Sequence, residues 1–317
     1  MTLRPSHVSV LDPISPAIER VKTVLFRPFD IRRWLIIGFC VWLARLGQGG
    51  DGGGGSGGDG GRVDLATIRE EIKRGAEEAW FYAAANLSWL IPVGLMVLAL
   101  IVGTGLLVLW LSSRGRFMFL DCVAQNKAEV VNPWHQFNRH ANSLFAFRVG
   151  LYVIAFAVAL VFLLLGGLVA FLAHTGLGFN IVSIMGMVCC GVFFVATLIV
   201  SWVAAKFTKD FAVPIMYLKT PSALEAWHIL LDVISVNMGR FFIYIVFQAI
   251  IAAAIVGMMV AAMCLTCCCA ACLFALPYVG TVVLLPVHVF GRSYSLYYLA
   301  QYGPEFNVFP PDATLPE

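Results

Sequence analysis

Residues 149–173 read VGLYVIAFAVALVFLLLGGLVAFLA, 25 positions without a charged side chain. At about 1.5 Å per residue such a run forms a helix of roughly 37 Å, enough to cross the roughly 30 Å of hydrocarbon in a bilayer. Similar apolar runs occupy 89–112, 181–204, 241–264 and 270–291. A shorter one spans Trp34 to Leu46. With 60% hydrophobic and 12% charged residues over 317 positions, and a mean hydropathy of +0.87, the chain can bury most of its apolar surface against lipid. The pattern predicts an all-α polytopic membrane protein with about six transmembrane helices, forming one integral membrane domain over 1–317. Residues 1–33 are polar or amphipathic rather than signal-like, so the N-terminus is expected to be retained.

Basic residues orient the spans. If the chain enters from the cytoplasm, 16 of the 21 Lys and Arg lie in inward segments, while the outer segment 45–88 holds seven acids against five bases. Both termini are therefore expected in the cytoplasm, with the protein in the inner, cytoplasmic membrane. A net charge of +3, carried by scattered cations, points away from nucleic acid. The expected partners are the lipid bilayer, anionic lipids in particular, and a membrane-protein partner or a second copy of the chain.

The inward segments repeat a phrase. Ser15-Pro16, Asn132-Pro133 and Thr220-Pro221 each place a capping residue before a proline suited to the first helical turn. Amphipathic stretches of 15–20 residues then close on Arg32 and Arg33, on Arg148 and on Arg240. Trp134-His135 recurs as Trp227-His228. Each copy ends in a polar exit: Arg114-Gly115-Arg116, Lys206 to Asp210, and Gly291-Arg292-Ser293. Three repeats of interfacial helix plus helical hairpin are expected, over about 13–130, 131–219 and 220–306, with a C-terminal tail at 307–317. In the third copy Leu224, Trp227, Leu230, Leu231 and Ile234 can share an apolar face, as in a helix lying in the membrane plane. Arg33, Trp34, Trp134, Arg148, Trp227 and Arg240 are the expected lipid-interface residues. Trp34 to Leu46 offers only about 20 Å of helix, so either its flanking arginines snorkel or the segment is re-entrant or interfacial.

Three other features invite chemistry. Gly49–Gly61, GGDGGGGSGGDGG, lacks the Gly-Lys-Ser/Thr of a phosphate loop and the regular acids of a calcium repeat, and reads as a flexible outer insert. Cys264, Cys267, Cys268, Cys269 and Cys272 read chiefly as small packing residues, with a disulfide or a metal site as alternatives. His288 and Gln248 read as interhelical hydrogen-bonding groups, and Pro277 and Pro286 bracket a broken last helix. No catalytic, cofactor-binding or metal-ligating residue is assigned.

The phrase Leu276-Pro277-Tyr278-Val279-Gly280-Thr281, continuing through Leu285-Pro286, Arg292-Ser293-Tyr294-Ser295-Leu296 and Gln301-Tyr302-Gly303-Pro304-Glu305, resembles a family of uncharacterised bacterial and archaeal polytopic membrane proteins. Phe29-Asp30-Ile31-Arg32-Arg33-Trp34 before the glycine tract is similar to it too. More distantly, the chain resembles the membrane domain attached to some glycerophosphodiester phosphodiesterases. The soluble barrel of those enzymes is missing, so no catalytic residue follows from the resemblance. The expected function is that of a non-enzymatic multi-pass protein organising lipids or partner proteins at the inner leaflet. The alternatives are a transporter of a neutral or amphiphilic small molecule and, third, a redox or metal enzyme built on the cysteine cluster.

Overall fold

A computed structural model describes residues 8–46, 74, 86–178, 180–219, 222–266 and 276–309. All regular elements among them are helical. The chain divides into a larger unit, Met1–Arg45 with Trp110–Glu317, and a smaller one, Leu46–Leu109. The glycine tract, Cys267 to Cys272 and most of the tail fall outside the described residues.

In chain order the helices are α1 (Ile14–Leu25), α2 (Ile31–Arg45), α3 (Leu87–Gln125), α4 (Val131–Gln136), α5 (Asn138–Leu172), α6 (Ile181–Phe207), α7 (Val213–Leu218), α8 (Ala223–Val236), α9 (Met238–Leu265), α10 (Pro277–Val283) and α11 (Leu285–Ala300). Wide π turns extend α5 over Ala173–Leu177 and join α6 to α7 over Thr208–Ala212. Four stretches, Ser88–Gln125, Asn138–Thr175, Ile181–Leu218 and Met238–Leu265, are long and apolar enough to cross a membrane, and their most hydrophobic windows are 0–6% buried within the chain. These are four of the six expected crossings. The expected first span is α2, 15 residues long. The expected last span begins outside the described residues, and its remainder is α10 and α11, broken at Leu284, with Pro286 at the start of α11.

Helix ends follow local chemistry more closely than the proline pattern does. Ser15 and Pro16 lie inside the first turn of α1, which is 12 residues long and stops well before Arg32. Asn132 lies within α4, its side-chain amide donating to Glu129 at 2.9 Å. Thr220 and Pro221 are outside the described residues, and Ser222 caps α8 by accepting from the Glu225 amide. Asn126 ends α3 in the left-handed region, at φ 56°, where asparagine is tolerated because its short amide bonds locally. The turn between α5 and α6 uses Gly178 at φ 67°.

The hairpin of α5 and α6 packs through stacked Phe162 and Phe193, centroids 5.2 Å apart, and through small residues. A methyl group on Gly166 would meet Cys190 Cβ at 3.4 Å, so this cysteine packs as a small residue. In the larger unit α2 crosses α3 at Gly115, where a Cβ would lie 2.7 Å from the Leu43 carbonyl carbon and 2.9 Å from Ala44 Cα. Ser112 Oγ donates to the Ala44 carbonyl at 2.8 Å at the same crossing. An aromatic core joins Phe207, Phe211, Phe241, Tyr244, Tyr294 and Tyr298, with Tyr244 and Tyr298 centroids 4.6 Å apart.

Candidate functional site

Polar residues at the ends of apolar helices usually face water, yet here several are buried. Arg116, Arg148, Asp210 and Arg292 are 7, 3, 7 and 8% exposed. They come from α3, α5, the π turn after α6, and α11, and the charges of Arg148, Arg292 and Asp210 all act on Arg116. The three polar exits of the sequence thus bring charges into one region of the larger unit. Asp210 is held on one oxygen by Lys206 Nζ at 3.2 Å and by the Tyr244 hydroxyl at 3.2 Å, and Gln248 donates to that hydroxyl at 3.0 Å. Arg148 Nη1 donates to Ser113 Oγ at 3.0 Å and to Ser112 Oγ at 3.4 Å. Arg292 Nη1 donates to the Lys209 carbonyl at 2.6 Å. Nε and Nη1 of Arg116, Nε and Nη2 of Arg292, and Oγ of Ser293 are buried without a hydrogen-bond partner. A bare buried guanidinium is costly, because water's hydrogen bonds are lost and nothing replaces them. Arg116, Arg292 and Lys206 therefore share one carboxylate that is already engaged, with Arg148 as a fourth cation beside Arg116.

A second set of arginines closes helix ends. Arg20 donates to the Val123 carbonyl at 3.0 and 2.7 Å and to the Ala124 carbonyl at 2.7 Å, capping α3 where its dipole is negative. Burial pushes the Arg20 pKa down from its ordinary value, against the opposing effect of Tyr297. Arg33 donates to the carbonyl and side-chain oxygens of Asn126, both at 2.9 Å. Arg114 lies over the Trp110 and Trp134 rings, 4.2 and 4.7 Å from their centroids, and donates to Asn138.

The expected interface residues fall into different settings. Trp34 is half-buried, donates to the Leu25 carbonyl at 2.8 Å and packs edge-on against Phe26 and Phe29. Trp134 meets Trp110 edge-on. Trp227 donates to Thr208 Oγ1 at 3.2 Å and stacks on Phe147. Arg240 is half-buried, with Nη1 3.4 Å from Asn237 Oδ1. Arg148 is enclosed by protein rather than placed at a helix-end surface. On α8 the stripe packed against the chain is Ala223, Ala226, Leu230 and Val233, while Leu224 and Leu231 are exposed. The expected apolar face of this helix is therefore split, with only Leu230 of its five residues in the packed stripe.

His288 lies 2.9 Å, through Nε2, from Arg45 Nη1 and so links α11 to α2. Gln248 bonds within its own helix, to Tyr244, rather than between helices. Of the cysteine cluster only Cys264 is described, and it is exposed. Among the described residues no group of three His, Cys, Asp or Glu is placed to hold a metal ion. In the sequence Arg116, Asp210 and Arg292 stand out only as parts of the polar exits, with no site assigned to them. The available signal was their recurrence at the same place in each expected repeat.

A family model covers residues 8–280, from α1 to the start of the last helix pair. The chain belongs to the family of unknown function DUF7544. The DUF7544 match takes in Arg116, Arg148 and Asp210 but ends before Arg292 and Ser293. No curated protein and no solved structure matches the chain.

Proposed function

We propose that the chain is a non-enzymatic multi-pass protein of the inner membrane. It organises anionic lipids or membrane partners at the cytoplasmic leaflet through three units of interfacial helix and hairpin, with both termini cytoplasmic. The observation that carries this reading is the pairing of four long apolar helices, whose most hydrophobic stretches are 0–6% buried within the chain, with arginine and tryptophan in the segments that flank them. Tryptophan favours the headgroup level because one edge is apolar and the other donates a hydrogen bond, and cations there are attracted by anionic lipid. Exposed Leu224 and Leu231 on α8 supply apolar contact of the same kind.

Changing Arg32, Arg139 and Arg240 together to Gln tests the role, because Arg32 and Arg139 are exposed and Arg240 is half-buried. The triple variant should co-purify with less anionic lipid than the parent. Changing Arg62, Arg69 and Lys73, which belong to the outer segment of the sequence, should not alter it. Equal lipid content in the two triple variants removes the inner-leaflet role.

A transporter of a neutral or amphiphilic molecule is the second reading, favoured by a half-open cleft of about 130 Å³ between α9 and α11, lined by Gln248, Ile251, Ile255, Val287, Phe290 and Tyr294. Solute flux into proteoliposomes that is lost on widening a side chain at Ala252 supports it.

A further inference from the structure

We propose that the larger unit holds an internal oxyanion site, in which Arg116, Arg292 and Ser293, with Arg148 beside them, bind a phosphate group. The atoms that would do so are buried and unpartnered: Nε and Nη1 of Arg116, Nε and Nη2 of Arg292, and Ser293 Oγ. Nε and Nη2 lie along one edge of a guanidinium, the edge that grips two oxygens of a carboxylate or phosphate at once. Arg292 keeps that edge unpartnered because its Nη1 is spent on the Lys209 carbonyl.

Charge points the same way. Arg116, Arg292 and Lys206 face Asp210, whose Oδ2 already takes both Lys206 and Tyr244, and Arg148 adds a further positive charge beside Arg116. Among the described residues the other buried carboxylate, Asp121, accepts from Tyr217 at 2.9 Å. Buried cations persist when an anion pairs with them and satisfies their hydrogens. Two further cations lie nearby, exposed Lys209 and half-buried Arg45, both acting on His288 one turn before Arg292. Donors from two helices with a third cation from α5 suit a tetrahedral anion, which offers more oxygens than a carboxylate. The phosphate would come from a lipid headgroup or from solution. The first source rests on the inner-leaflet reading above, and the site itself does not.

Thermal unfolding of the full chain, purified in uncharged detergent and stripped of lipid, tests this with three probes. These are sodium phosphate against sodium chloride at matched ionic strength, dioctanoyl phosphatidylglycerol, and dioctanoylglycerol, which lacks the phosphate. A ligand that binds only the folded chain raises its melting temperature with concentration. The wild type should be stabilised by phosphatidylglycerol and not by dioctanoylglycerol if a headgroup is the ligand. It should be stabilised by sodium phosphate alone if free phosphate suffices. The double variant R116Q/R292Q should need at least about tenfold more probe for the same shift. Ser293→Ala, a small change that keeps the fold, should weaken the response severalfold while leaving probe-free melting close to that of the wild type. Absence of any shift in the wild type overturns the site, as does a wild-type response in both variants. A phosphate response alongside an inverted topology would leave the site standing and remove the inner-leaflet reading alone.

Discussion

Glycine 115 shows how tightly two helices are drawn together at one residue. Its missing side chain lets the backbone of Leu43 and Ala44 approach within contact of α3, so Gly115→Ala must push α2 away or distort it. Overpacking of this kind costs about 1–3 kcal/mol, and melting of the purified variant should fall accordingly. Gly150→Ala, where nothing lies within 4 Å of the added methyl, should melt at or slightly above the wild type. Arg20 offers a second residue-scale test. Replacing it with Met removes three hydrogen bonds to the end of α3 and should cost about 2–4 kcal/mol, given about 1.5–3 kcal/mol for a charged hydrogen bond and incomplete additivity. Lysine at the same position should restore only part, because an ammonium cannot span two carbonyls as a planar fork does. Neither residue announced itself in the sequence. Gly115 sat in a polar exit, and Arg20 was one cation among six in a basic N-terminal segment.

At the scale of elements, length and apolarity were legible and partnership was not. The spans at 89–112, 149–173, 181–204 and 241–264 all fall within long helices, because an uncharged run of this length has one stable form in hydrocarbon. Helix starts were harder, since a Ser, Asn or Thr before proline is only a local preference and the surrounding chain moved each boundary. Arginines that close the amphipathic stretches look alike on sequence grounds, and only tertiary contact distinguishes Arg148, which is enclosed, from Arg32, which is exposed. The π turn after α6 was not legible at all, though it sets Asp210 between Lys206 and Tyr244. Asp210→Asn should therefore lower stability by about 3 kcal/mol, the scale for breaking one side of a buried pair. Adding Lys206→Met to that variant should recover part of the loss, measurable as a coupling in a double-mutant cycle.

For the whole molecule, α5 and α6 form a hairpin whose two passes return the chain to the face it left, which ties Lys127 before it to Lys219 after it. The glycine tract precedes α3 and should lie across the membrane from both. The distribution of Lys and Arg predicts the Lys127 and Lys219 face to be cytoplasmic, and the inner-leaflet role depends on that placement. Reporter fusions after Lys127, after Lys219 and within Gly49–Gly61 measure it directly. The account requires cytoplasmic signals from the first two and an external signal from the third. Lys127 and Lys219 reporting opposite faces, or both reporting the outside, would contradict it.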